Sequence, residues 1–138
     1  MNSASHDWTL NNRFAATCNQ AKRRAKKKDL KFNLTADYLE SIDRDQCPYL
    51  EIPIEFSKLN NGRGYALING KSLDRIRPEL GYVNGNVVWC SEIANRLLSS
   101  YTAEQLLEIP LLHQVGLNFM RVLTSTKPTE YETTEATC

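Results

Sequence analysis

The pattern of apolar and polar residues predicts two helices near the start of the chain. Between Arg13 and Lys28 there is neither Gly nor Pro, and apolar residues recur at three- and four-residue steps. This spacing places them in one narrow stripe along an amphipathic helix. Thr35 is a suitable N-cap for a second, short helix that continues to Ile42.

Three later segments have the composition of β-strands. Residues 49–56 partly alternate apolar and charged side chains like an edge strand, where Pro53 is tolerated because an edge N–H needs no partner. Residues 72–76 and 86–90 are also strand-like. The segment between them, 77–85, contains Pro, Gly and Asn residues that favour turns. The sequence therefore predicts a hairpin with a long loop.

Further helices follow the hairpin. Ser91 is a good N-cap for a helix that runs to about Leu98. Thr102–Gln105 has the pattern of a capping box and opens another helix. Pro110 interrupts that helix, and helical spacing resumes over Leu111–Leu123. The order β, β, α with flanking helices indicates an α+β fold.

The length and composition fit one domain. With 138 residues, of which 41% are hydrophobic, we expect a single compact unit over residues 12–123. Residues 1–11 are expected to be flexible, and the Thr- and Glu-rich tail 124–138 to be disordered. No apolar run approaches the roughly 18 residues of a membrane span. We expect a cytoplasmic protein without membrane contact.

One group of residues resembles a known family. Asp74-Arg-Ile-x-Pro is followed by Gly-Tyr, then Asn86 and, nine residues later, Asn95. This resembles the Asp-His-Ile-x-Pro … Asn … Asn/His pattern of HNH endonucleases, also called ββα-metal or His-Me finger nucleases. Together with a basic Arg-Ala-Lys-Lys helix and Cys-Pro-x-x-x-Ile-Pro, it resembles small phage-type members over about residues 14–110. The resemblance implies a ββα-metal core in about residues 71–100.

The resemblance assigns roles to the motif residues. Asp74 and Asn95 match the protein ligands of one divalent cation, and Asn86 matches the Asn that ties the hairpin loop by hydrogen bonds to the backbone. A carboxylate and an amide oxygen are hard ligands, which suit Mg²⁺ or Mn²⁺. The plainer alternative is that Asp74 pairs with Arg75 or Arg77 and that Asn95 bonds locally.

The sequence departs from the family pattern at the zinc knuckles. Many HNH proteins carry two CxxC pairs, and the matching positions here are Cys47 and Leu50, then Ser91 and Ala94. One thiolate cannot build a tetrahedral site, so we predict no structural zinc, with apolar packing in its place.

A second departure concerns the general base. The family has His directly after the Asp, and this chain has Arg75. Arginine stays protonated, so it is a poor base, but its planar fork suits a phosphate contact. The base is left open between His6, His113 and activation of water by the metal itself, and absence of catalysis is the other alternative.

The positive charges of the chain are clustered although its net charge is only +1. Such a cluster is usually a solvated helix face, but beside a nuclease-like motif it favours contact with the phosphate backbone. The residues expected to bind nucleic acid are Lys22, Arg23, Arg24, Lys26, Lys27, Lys28 and Arg96.

The leading hypothesis is therefore a metal-dependent HNH-type endonuclease that cleaves phosphodiester bonds in double-stranded DNA, with Asp74, Arg75 and Asn95 as its catalytic residues. DNA rather than RNA is implied by the resemblance alone. The alternative is a catalytically inactive HNH-like module that binds nucleic acid or a partner protein. A nuclease that cuts both strands needs two sites, so a homodimer also stays open.

Overall fold

The computed structural model describes residues 12–56 and 69–125. The fold is α+β and contains one antiparallel pair of strands with helices before and after it. The elements in chain order are α1 (Arg13–Lys28), α2 (Ala36–Ser41), β1 (Lys71–Arg75), β2 (Val87–Ser91), α3 (Glu92–Ser100), α4 (Ala103–Leu107) and α5 (His113–Ser125). Short 3₁₀ turns occupy Pro78–Leu80 and Pro110–Leu112.

The two predicted N-terminal helices are confirmed. Helix α1 buries Cys18, Ala21 and Ala25, which lie three and four residues apart on one face. Helix α2 begins where the sequence predicts, because the Thr35 hydroxyl accepts a hydrogen bond of 3.1 Å from the Tyr38 N–H. The two helices pack against each other.

The predicted hairpin is also confirmed, and its register defines two faces. Leu73 pairs with Trp89 and Asp74 with Val88. Because side chains alternate along a strand, Leu73 and Trp89 share one face, whereas Ser72 and Asp74 share the other. The Trp89 ring is buried against the Phe14 ring at 6.0 Å and donates from its indole nitrogen to the Leu39 carbonyl at 2.9 Å.

The helices after the hairpin follow their predicted caps. The Ser91 hydroxyl accepts from the Ala94 N–H at 3.2 Å, and α3 then packs against both strands. At α4 the capping box between Thr102 and Gln105 is complete. Helix α5 packs against α4 and carries the buried Val115 and Val122.

The predicted edge strand over residues 49–56 is wrong. The chain instead makes a tight turn, in which the Cys47 N–H donates to the Ile52 carbonyl at 2.8 Å and Glu51 has a left-handed φ of 60°. Such a φ interrupts an extended strand. What remains are isolated bridges, from Gln46 to Pro53 and from Glu55 to Gly70.

Some sequence predictions fall on other parts of the chain. The predicted flexible residues 1–11 lie outside the described residues, as does most of the tail predicted to be disordered; Thr124 and Ser125 continue α5. Within the described ranges, no helix combines the length and the apolar character needed to cross a membrane.

Candidate functional site

The loop of the hairpin is closed by Asn86. Its side-chain oxygen accepts from the Arg77 N–H at 3.0 Å, and its amide nitrogen donates to the carbonyls of Arg77 at 2.9 Å and Gly81 at 2.7 Å. The side chain is fully buried. Three hydrogen bonds from one buried amide hold the two ends of the loop at a fixed distance.

The same loop is attached to the N-terminal helices. The Asn33 side chain accepts from the Asn84 N–H at 2.7 Å, and the Tyr38 hydroxyl accepts from the Gly85 N–H at 2.8 Å. At Gly81, which has a φ of 82°, a Cβ atom would lie 2.6 Å from the Lys31 carbonyl oxygen. No other residue fits this position, so the loop is in direct contact with the segment that follows α1.

Asp74 lies in the middle of this supported hairpin, half-buried on the face that α3 covers. Burial raises the pKa of its carboxyl from the usual 3.8 to about 6, while the charge and the backbone N–H of Arg75 oppose the shift. The ionised form of a carboxyl group that is partly removed from water in this way is stabilised by a cation beside it.

Helix α3 brings Asn95 to the same face. Its amide nitrogen donates to the Ser72 hydroxyl at 2.7 Å, and Ser72 lies two residues before Asp74 on the same side of β1. Since the nitrogen is used in this bond, the amide oxygen of Asn95 is the atom left to act as a ligand. Asn95 therefore contacts β1 on the face that also carries Asp74.

Arg75 does not form a salt bridge with Asp74. Its guanidinium donates to the Pro78 carbonyl at 3.1 Å and stands 5.1 Å from the centre of the Tyr82 ring. Strand alternation directs it away from the face that carries Asp74. These contacts therefore do not support the plainer alternative in which Asp74 pairs with Arg75.

The donor set at Asp74 and Asn95 fits a hard cation that keeps most of its water. Across residues 12–56 and 69–125, no group of three or more His, Cys, Asp and Glu side chains could hold a metal ion. Mg²⁺ needs no such group, because it is commonly bound by one or two protein oxygens, with water and a substrate phosphate supplying the rest. One carboxylate and one amide oxygen meet that requirement.

Two of the four positions that match the zinc knuckles, Cys47 and Ser91, are in direct contact. The Cys47 sulfur accepts from the backbone N–H and the hydroxyl of Ser91, both at 3.4 Å. Ala94 is fully buried one helical turn further on, and Leu50 packs against the core. The contact between the segment of Cys47 and the start of α3 is therefore made by hydrogen bonds and apolar packing.

A buried tyrosine lies near the Asp74 face. Tyr49 is completely buried, its ring packs edge-on against Phe119 at 5.8 Å, and its backbone carbonyl accepts from the Asn118 side chain at 2.8 Å. Within the described part of the chain its hydroxyl makes no hydrogen bond. Burial, followed by the charge of Asp74, raises the pKa of Tyr49 far above its usual range, so the hydroxyl keeps its proton.

The basic cluster is displayed on the surface of α1. The six cationic side chains of the cluster that lie on α1 are all exposed, while Ala21 and Ala25 face the core. Arg96, on α3, is paired with Glu92 one turn earlier at 3.1 Å. Exposed pairs of this kind are weak and easily exchanged for a phosphate.

His113 is placed at the first turn of α5. Its Nδ1 atom lies 2.9 Å from the Leu107 carbonyl oxygen, and the side chain is exposed. This contact holds the ring against the end of α4. His6 lies outside the described residues, so neither histidine is brought to Asp74 by a contact in the described ranges.

Sequence reasoning missed three residues of this site. Ser72 orients Asn95, Tyr38 anchors Gly85, and Tyr49 lies buried on the Asp74 side. Only Ser72 had a local signal, since it stands two residues before Asp74 on the same strand face. The other two depend on tertiary packing.

Comparisons with known proteins give one informative similarity. No protein-family model and no solved structure matches the chain. An uncharacterized 29.0 kDa protein in the dda-modA intergenic region of Enterobacteria phage T4 is 34% identical over 100 residues, which is 72% of this chain and 36% of that protein. The chain thus spans about a third of that relative's length.

Proposed function

We propose that this protein is a metal-dependent HNH-type endonuclease that cleaves phosphodiester bonds in DNA. The observation that carries the proposal is that Asp74 and Asn95 lie at one face of β1, where the Asn95 amide is held by the hydroxyl of Ser72, two residues before Asp74. The order of elements β1, β2, α3 and the loop-tying Asn86 agree with it.

Each residue then has a defined part. Asp74 and the amide oxygen of Asn95 would hold Mg²⁺ or Mn²⁺. The cation would supply charge stabilisation for the leaving oxygen. Arg75 steadies a neighbouring phosphate, for which it exchanges its contact with the Pro78 carbonyl.

The exposed basic face of α1 supports a nucleic acid as the substrate, because six closely spaced cations follow a phosphate backbone well. The choice of DNA follows from the resemblance. The similarity to a phage protein agrees with a small phage-type nuclease. That relative carries no stated activity, so the argument for cleavage depends on the site.

A plasmid nicking assay tests the proposal. Supercoiled plasmid is incubated with the protein and Mg²⁺ or Mn²⁺, and the parent is compared with Asp74→Ala and Asn95→Ala. We expect nicking by the parent and a loss of at least about a hundredfold in each variant, because even the loss of a residue that only orients a metal ligand costs about 10–100-fold. Asp37→Ala, which removes an exposed carboxylate on α2, is the matched control and should retain activity.

A catalytically inactive module that binds DNA is the second candidate. It is favoured by Arg75, which stands where a general base is expected and is engaged by Pro78 and Tyr82. Tight DNA binding without nicking in any of several divalent metals would establish this candidate. Nicking that persists at the parental rate in both Asp74→Ala and Asn95→Ala would exclude the proposed catalytic site.

A further inference from the structure

A polar cavity of about 160 Å³ lies between α1 and the hairpin. Asp74 is not part of its lining, but Ser72, on the same face of β1 as Asp74, is, together with Leu73 and Trp89 of the other face. The complete lining is Thr17, Gln20, Ala21, Arg24, Lys71, Ser72, Leu73, Tyr82, Trp89 and Glu92.

One face of α1 supplies its outer wall. Thr17, Gln20, Ala21 and Arg24 follow one another at steps of three, one and three residues, which places them on a single helix face. Of the exposed cations in the basic cluster of α1, only Arg24 lines this cavity. Its neighbour Arg23 is equally exposed but does not.

Most charges around the cavity already have partners. The ammonium group of Lys71 is held by Asp43 at 2.6 Å, and the Glu92 carboxylate is paired with Arg96 at 3.1 Å. No salt bridge or hydrogen bond of Arg24 occurs within the described residues. Its guanidinium is therefore the charge that a ligand in the cavity would meet.

Ser72 provides the second donor and links the cavity to the proposed catalytic site. Its oxygen accepts from the Asn95 amide, so its own hydrogen is available to donate elsewhere. The buried rings of Tyr82 and Trp89 form an apolar wall, and in such surroundings a charge-assisted hydrogen bond is stronger than in water.

We infer that this cavity binds a phosphodiester group of the nucleic-acid backbone, held by Arg24 and the Ser72 hydroxyl, next to the phosphate that is cleaved. The inference rests on the proposed function, which it deepens by naming a second site of backbone binding. A phosphate that accepts a hydrogen bond from the Ser72 hydroxyl fixes the direction of that hydroxyl. Because the Asn95 amide donates to the same oxygen, binding in the cavity is connected with the orientation of Asn95, the proposed metal ligand.

An NMR titration with inorganic phosphate tests the cavity without any need for cleavage. Amide and arginine side-chain signals are followed in the parent, in Arg24→Gln and in Arg23→Gln, after each variant has shown the parent's dispersed spectrum. We expect saturable shifts at Thr17, Gln20 and Ser72 in the parent. Affinity should fall about tenfold in Arg24→Gln, the equivalent of one charge-assisted hydrogen bond, and less than twofold in Arg23→Gln.

A second arm identifies the source of the phosphate. A short DNA duplex added to the phosphate-saturated parent should displace phosphate from the cavity. In the Ser72→Ala variant, the same duplex should displace phosphate less effectively. Equal weakening in Arg23→Gln and Arg24→Gln, or no saturable shift at all, overturns the inference. Phosphate binding that the duplex does not displace also overturns it, because the site would then take free phosphate.

The outcome is separable from that of the proposed nuclease. A protein that binds phosphate in the cavity and fails to nick plasmid has the proposed backbone site but not the proposed catalytic site. A protein that nicks with dependence on Asp74 but shows no Arg24 effect has the catalytic site but not the backbone site.

Discussion

A carboxyl group that is partly buried without an ion pair costs the folded state free energy when it ionises. Asp74 is in this position, since its pKa is raised to about 6 by burial. Its unfolded pKa lies near 3.8, so the folded protein binds a proton more tightly than the unfolded chain between these values. Lowering the pH from 7 to 4 therefore removes a destabilising charge at this position.

Asp74→Asn should accordingly stabilise the protein when metal is absent. We expect a gain on the order of 2 kcal/mol at pH 7, shrinking through pH 6 and vanishing below about pH 4, where the parent carboxyl is protonated in both states. Urea unfolding in EDTA at several pH values measures it. Asp37→Asn serves as the exposed control, and an Asp74→Asn variant that is less stable at pH 7 would contradict the expectation.

Tyr49→Phe tests the buried hydroxyl. Its ring contact with Phe119 and its backbone bond to Asn118 do not need the hydroxyl, which is unpaired among the described residues. Burying a hydroxyl without a partner costs about 1–3 kcal/mol. The variant should therefore be as stable as the parent or more so, by thermal and urea unfolding. A loss of more than about 1 kcal/mol would reveal a partner for this hydroxyl.

At the scale of elements, the hairpin loop depends on one amide. Asn86→Ala removes all three of its bonds to the backbone from a fully buried place. We expect a loss of about 3 kcal/mol or more in chemical unfolding. Asn84→Ala, two residues earlier, is the matched control, because its side-chain oxygen has no hydrogen bond to any described residue. Similar losses of stability in both variants would mean that the three hydrogen bonds of the Asn86 side chain do not account for the loss.

We expect the positive charges of helix α1 to contribute to the affinity of the protein for DNA. Replacing Lys26, Lys27 and Lys28 with Gln is expected to weaken binding to duplexes of different sequence alike. It should also reduce the salt slope of log K by about 0.9 for each phosphate that the variant no longer neutralises. Fluorescence anisotropy over a range of salt concentrations measures both. Arg121→Gln on α5 is the exposed control, and an unchanged slope in the triple variant would remove α1 from the interface.

Local signals explain which elements the sequence could predict. Helix α1 followed from the apolar stripe of Ala21 and Ala25, and α3 from its Ser91 cap. The turn at Cys47–Ile52 was missed because Glu51, not Gly, adopts the left-handed conformation. Because Glu rarely adopts a left-handed φ, its presence at this position does not predict a turn.

The candidate site was predictable only in part, for the same reason. The motif named Asp74 and Asn95, yet the Ser72 bond between α3 and β1 and the burial of Tyr49 arise from packing of segments distant in sequence. The turn that carries Tyr49 is positioned by Asn118 on α5, 69 residues away. No local pattern contains that information.

At the scale of the whole molecule, the fold should not depend on zinc. The two segments that knuckles would join meet through Cys47 and Ser91. We expect an unchanged thermal unfolding midpoint in EDTA and no stoichiometric zinc in elemental analysis. A clear fall of the midpoint on chelation, restored by zinc, would contradict this prediction.

The attachment of the hairpin loop to the N-terminal helices also bears on how the molecule folds. The bonds of Asn84 to Asn33 and of Gly85 to Tyr38 span 51 and 47 residues. Such contacts are slow to form, because a long loop must close before they contribute. During synthesis α1 and α2 emerge first and can receive the hairpin when it arrives. The ββα segment alone should therefore refold poorly, and its loop would be the last part of the domain to become ordered.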